Sequence, residues 1–147
     1  GYNIDAVIDH VCRIPIPIRD FESAPEMIVI RSFDVNKPGI DAENLKGGVA
    51  GGTILKGVLR VGDKIAIRPG ILRKSQNSGE VICKDIITQI TSLQADENQL
   101  MYAVPGGLIG VGMKVDPFIT RSDYLVGQII GHPGKMPEVL KEIDADF

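Results

Sequence analysis

The chain has 147 residues and 44% apolar content, enough for one ordinary domain with a real core. Its net charge of −3 excludes a uniformly basic nucleic-acid-coating protein, and no apolar run approaches the ~20 residues that span a bilayer. Cys12 and Cys83 lie far apart, form no Cys-x-x-Cys pair and no zinc spacing, and fit a reduced, cytosolic protein with two buried thiols. No signal-peptide pattern opens the sequence. Aromatic residues make up only 5% and Trp is absent, so the core is built from Ile, Val and Leu, a mixture that favours strands. The 17 Gly and 9 Pro supply the turns that many short strands need.

Asn3 is placed to cap a short helix in which Ile4, Val7, Ile8 and Val11 recur at helical spacing up to Arg13. Ile14-Pro15-Ile16-Pro17-Ile18 then reads as an extended linker, because proline removes a donor and biases its predecessor away from helix. Met27 to Phe33 is a strand candidate, followed by a long loop from Asp34 to Gly48. Loops of this length in compact domains are often functional.

The stretch GGVAGGTILKGVLRVGDKIAIRPG, Gly47 to Gly70, is the most informative in the chain. Thr53, Leu55, Gly57, Leu59 and Val61 alternate with Ile54, Lys56, Val58 and Arg60, the period of a strand. Val61-Gly62-Asp63-Lys64 is the turn, and Lys64 to Arg68 a second strand. This reading sends the small apolar residues inward and Lys56, Arg60, Lys64 and Arg68 outward as a basic face. Lys74 to Gly79 is a polar hairpin tip, Glu80 to Lys84 and Asp85 to Leu93 continue the sheet, and Gln94 to Gln99 is a polar turn. Tyr102 to Gly107 turns into a glycine-rich strand ending at Met113, and Leu125 to Ile130 is the closing strand. Strands at this spacing without long helices between them predict an all-β fold, a small closed β-barrel with a short N-terminal helix.

Between Lys46 and Lys84 there are eight basic and two acidic residues, +6 there against −9 in the remainder. Such asymmetry fits either a polyanion or acidic partner, or the solvated side of a sheet. A phosphate-binding loop requires G-x-x-x-x-G-K-[ST], which neither GGVAGGT nor GGLIGVG satisfies. Asn36-Lys37-Pro38-Gly39 fails as a guanine-reading motif, since Gly39 stands where a carboxylate would accept the guanine bonds. His10 and His132 have no neighbouring nucleophile and make no metal site. The residues thus point to no catalytic function, no metal and no cofactor in this chain.

The same stretch resembles the second domain of the translational GTPases. IVIRSFDVNKPG (Ile28–Gly39), LKGGVAGG (Leu45–Gly52), YAVPGGLIGVGMKVDP (Tyr102–Pro117) and RSDYLVGQIIG (Arg121–Gly131) together resemble the gamma-subunit family of eukaryotic translation initiation factor 2. The resemblance implies a barrel of the translation-factor domain II type over 21–134. Residues 1–20 are then the end of a GTPase domain with its linker, and 135–147 the start of a third barrel, with Val139 to Phe147 its first strand. It further implies a cytoplasmic heterotrimer subunit that handles initiator methionyl-tRNA with alpha and beta subunits and the small ribosomal subunit, away from membranes. GTP and Mg would be bound by the parent outside this chain. By the same resemblance the tRNA acceptor end meets Arg31, Phe33, Asp34, Val49, Ala50, Gly51, Thr91 and Leu108. Related elongation factors carry a glutamate where Thr91 aligns, so the ribose contact is built differently here. The alpha subunit is expected at Asn36, Lys37, Pro38 and Lys46. The alternatives are a barrel from another translational GTPase, such as a selenocysteine-specific elongation factor, a flavin-binding barrel, and a structural spacer.

Overall fold

The computed structural model describes residues 1–74, 81–140 and 142–145. The chain begins with helix α1 (Ile4–Cys12), all of whose residues are exposed. Asn3 precedes it in a left-handed conformation with φ of 60° and makes no side-chain cap, so the expected Asn3 cap is not formed. Nine strands follow: β1 (Glu26–Phe33), β2 (Val49–Lys56), β3 (Leu59–Arg60), β4 (Lys64–Lys74), β5 (Val81–Ala95), β6 (Asn98–Leu100), β7 (Tyr102–Ala103), β8 (Ile109–Met113) and β9 (Ile129–Gly131).

The sheet runs β4-β9-β1-β2-β8-β5-β6, and β4 also pairs with β5. That extra pairing closes β4, β9, β1, β2, β8 and β5 into a six-stranded antiparallel barrel. Closure removes the sheet edges that would otherwise seek partners. β6 extends β5 as a short hairpin, and β3 pairs with β7 as a separate ribbon. The barrel is filled by Met27, Ile54, Leu59, Ile65, Ile67, Ile90, Leu93, Met113, Leu125 and Ile130, each 2% exposed or less. This aliphatic core is what the composition predicted.

The strand at 53–61 differs from its sequence reading in phase. Ile54 is buried and Leu55 is 53% exposed, the reverse of the expected alternation. Gly57, at φ of +72°, breaks the run into β2 and β3. The side-chain pattern therefore restarts at Leu59, which is buried. The basic residues do not form one free face. Lys56 pairs with Glu26 at 2.9 Å, and that hydrogen bond raises its pKa. Arg68 pairs with Asp85 and donates to the Pro137 carbonyl at 2.8 Å; the Asp85 bond raises its pKa too. Arg60 and Lys64 are exposed.

Two short helical pieces replace the start of the expected closing strand. Helix α2 (Pro117–Thr120) and a 3-10 turn (Arg121–Asp123) precede β9, so strand pairing begins only at Ile129. Asp116 caps α2 by accepting from the Phe118 N–H at 2.9 Å, with Pro117 at the first helical position. β5 runs unbroken to Ala95, which shortens the polar turn expected at Gln94 to Gln99. The hairpin tip, 75–79, lies outside the described residues. No strand occurs among the described residues of 139–147.

Candidate functional site

On the outer wall of the barrel, β1, β2, β8 and β5 form the floor of a cleft of about 380 Å³. Its apolar side comes from Phe33, Val35, Val49 and Leu108, and its polar side from Arg31, Ser92, Gln94 and Asp96. The floor is glycine. Gly51 lies opposite both Arg31 and Gly110, and Val49 opposite both Phe33 and Gly112.

These glycines separate into two kinds. A Cβ on Gly52 would collide with the Ile28 carbonyl, and one on Gly47 with the Met113 carbonyl, so backbone packing requires them. A Cβ on Gly51 would meet nothing closer than 3.8 Å, and one on Gly110 nothing closer than 3.7 Å. Packing does not forbid a side chain at either. Their lack of one keeps the cleft floor flat.

Arg31 is held by Asp123, whose carboxylate accepts from Arg31 Nε at 3.2 Å and from the Ser32 N–H at 2.9 Å. The Ser32 hydroxyl in turn accepts from the Leu125 N–H at 3.1 Å. The segment between α2 and β9 therefore braces the end of β1 where the cleft's arginine projects. Sequence reading did not find Asp123. The Asp116-Pro117 pair, a helix-start signal, was the clue that this region is not strand.

Of the residues expected at an acceptor-end pocket, Arg31, Phe33, Val49, Gly51 and Leu108 line this one cleft. Ala50 lies on β2 between Val49 and Gly51 but points into the core at 0% exposure. Asp34 follows β1, and its carboxylate accepts from the Asn36 N–H at 2.8 Å and from Asn36 Nδ2 at 2.7 Å. Those bonds hold its pKa below the ordinary carboxylate value. Thr91 lines a neighbouring depression, and Ser92 takes the place beside the cleft. The register of β5 against β8 slips between Ile90 and Ser92, which turns two consecutive residues outward. The adjacent polar pair Thr91-Ser92 is the sequence trace of that slip.

The Asp34–Gly48 loop is tied at its neck by one side chain. Asn36 Nδ2 donates to the Lys46 carbonyl at 2.8 Å, and Asn36 Oδ1 accepts from the Lys46 N–H at 2.7 Å. Asn36 is thereby engaged within the loop, while Lys37, Pro38 and Lys46 are exposed. No group of three or more His, Cys, Asp or Glu among the described residues is placed to hold a metal ion. No helix among them is long and apolar enough to cross a membrane.

The family model for elongation factor Tu domain 2 matches residues 47–131, from the start of β2 to the end of β9. The chain belongs to the elongation factor Tu domain 2 family. β1, which contributes Arg31 and Phe33 to the cleft and completes this domain 2 barrel, lies ahead of the matched span. Over 147 residues, 99% of the chain, the sequence is 56% identical to eukaryotic translation initiation factor 2 subunit gamma of Schizosaccharomyces pombe, covering 33% of that protein. It is 52% identical over the same share to eukaryotic translation initiation factor 2 subunit 3 of Drosophila melanogaster, covering 31% of it. The chain thus spans about a third of the length of these curated relatives. The domain 2 assignment agrees with the closed barrel, and the relatives agree with the resemblance drawn from the sequence motifs.

Proposed function

We propose that this chain is the non-catalytic barrel domain of an initiation-factor gamma subunit, and that its outer cleft holds the aminoacylated acceptor end of initiator methionyl-tRNA. The observation that carries this reading is the cleft itself. An apolar side built from Phe33, Val49 and Leu108 suits the face of a terminal base. Arg31 and the Ser92 and Gln94 side chains suit its ribose and phosphate, over a floor without side chains. GTP and Mg belong, in this reading, to the part of the protein outside this chain. The complex works in the cytoplasm with the beta subunit and the small ribosomal subunit. The alpha subunit docks on the Asn36-clasped loop, through Lys37, Pro38 and Lys46.

The test is a titration of isotope-labelled chain with an aminoacylated acceptor minihelix, followed by NMR. Shifts are expected at Phe33, Val49, Gly51 and Leu108. Phe33→Ala is expected to weaken binding by about tenfold, since base stacking is worth ~1–3 kcal/mol. Equal affinity of the variant and the parent sequence refutes the cleft assignment. For the loop, Lys37→Glu is expected to weaken binding of the alpha subunit's carboxy-terminal domain by about threefold or more through reversal of an exposed charge. An unchanged pulldown titration removes that contact from the proposal.

A further inference from the structure

We propose that the cleft continues into a lysine-lined groove that carries the phosphodiester backbone of the RNA whose end the cleft holds. This rests on the acceptor-end reading above. Two depressions of about 440 Å³ and 420 Å³ lie beside the cleft and share Gln89 and Lys114, so they form one groove. Lys46 lines its first half and Lys64 its second. The connection to the cleft is the register slip on β5: Ser92 lines the cleft and its neighbour Thr91 lines the groove, both exposed.

The charge is one-sided. No carboxylate lines the groove, and none of the three lysines takes part in a salt bridge among the described residues. Gln89 lies between two of them, since Lys64 is its partner across β4 and the Lys114 N–H donates to its carbonyl at 3.0 Å. With neighbouring strands about 4.8 Å apart, Lys64 and Lys114 stand about 10 Å from one another across the groove. Three ammonium groups held close without a counter-charge repel one another, and a polyanion relieves that repulsion.

The chemistry favours backbone over bases. Lysine binds phosphate as a point charge, and Thr91 and Gln89 add the hydroxyl and amide that commonly contact phosphate and sugar. No aromatic side chain lines the groove, so nothing there can stack a base, in contrast with Phe33 in the cleft. From Gln94, beside the cleft, to Gln89 is five residues of β5, about 17 Å. That length accommodates about five nucleotides at the 3.4 Å spacing of a stacked strand. An RNA whose terminal base occupies the cleft therefore has its preceding phosphates over the lysines.

The experiment is the same labelled-chain titration with an acceptor minihelix, run at several salt concentrations on the parent sequence, on K64Q and K114Q, and on the double variant. Each lysine contact to a phosphate contributes about −0.7 to the slope of log affinity against log salt. Each variant is therefore expected to bind about fivefold more weakly at 0.1 M salt and with a slope flatter by about 0.7, while Phe33 and Leu108 still shift on binding. F33A, by contrast, is expected to lower affinity without changing the slope. Lysine variants with the parent's affinity and slope overturn the groove and leave the cleft standing. Shifts confined to Lys64, Gln89 and Lys114 overturn the continuity with the cleft. A folded chain that shifts with no RNA overturns both readings. A polyglutamate peptide that binds the lysines as tightly as the minihelix overturns the RNA assignment in favour of an acidic protein partner.

Discussion

Gly57→Ala is expected to destabilise the chain by about 3–5 kcal/mol, from ~1–3 for the left-handed backbone and ~1–3 for overpacking. Gly57 sits at φ of +72°, and its N–H donates to the Asp20 carbonyl at 2.8 Å. A Cβ there would lie 2.5 Å from Pro25 Cα and from the Ser23 carbonyl oxygen, and 2.6 Å from Pro25 N. These are backbone atoms and cannot rotate aside. The segment that leads from α1 to the barrel would have to lift off β2. At ~2–4 °C per kcal/mol for a chain of this size, thermal unfolding should come about 10 °C earlier. Gly62→Ala is the control. It has φ of +93° with nothing within 4 Å of its Cβ, so only the backbone term applies. Equal losses at Gly57 and Gly62 in circular-dichroism melts would show that the close approach of residues 23–25 contributes nothing.

The second large effect is expected at Gln128, which is 8% exposed. Its Oε1 accepts from the Gly70 N–H at 2.8 Å and its Nε2 donates to the Gly70 carbonyl at 3.3 Å. Gly70 lies where the register of β4 against β5 slips between Ile67 and Ile71, so the sheet does not pair those two groups. The glutamine side chain stands in for a missing strand. Gln128→Leu leaves both groups buried and unpaired at ~1–3 kcal/mol each, a loss of about 2–5 kcal/mol. The urea midpoint should fall with an unchanged m-value, and exchange of the Gly70 amide should accelerate. Unaltered protection of the Gly70 amide would mean that Gln128 is not its partner.

The two substitutions act at places where regular strand pairing is interrupted, and so does the cleft. Gly57 ends β2, Gln128 bridges the slip in β4, and the slip in β5 sets Thr91 and Ser92 side by side on the outer wall. Irregularities of this kind bend strands and re-aim side chains, which is how a barrel with a plain aliphatic interior acquires a shaped exterior.

Several features were legible in the residues alone. Ile65, Ile67, Ile90 and Ile130 are buried as an aliphatic, aromatic-poor core requires, and α1 occupies the window marked by Ile4, Val7, Ile8 and Val11. The turn at Gly62 is real, with the Asp63 carboxylate accepting from the Arg60 N–H at 2.8 Å. These depend on local periodicity and turn chemistry, which act over a few residues and are written directly in the order of the chain. Arg31, Phe33, Val49, Gly51 and Leu108 were drawn together by family resemblance rather than by periodicity. Their proximity comes from antiparallel pairing of β1 with β2 and of β2 with β8.

What the sequence determined by itself was the class of fold, the composition of its interior and its kinship with translation-factor barrels. Tertiary structure decided the phase of the strand at 53–61, because a glycine at positive φ resets alternation without changing composition. It decided that Lys56 and Arg68 are held by Glu26 and Asp85 while Lys46, Lys64 and Lys114 share a groove, because charges distant in sequence meet only when strands pair. And it decided that Asp123 orients Arg31 from 92 residues away, a contact that depends on barrel closure and that no local pattern encodes.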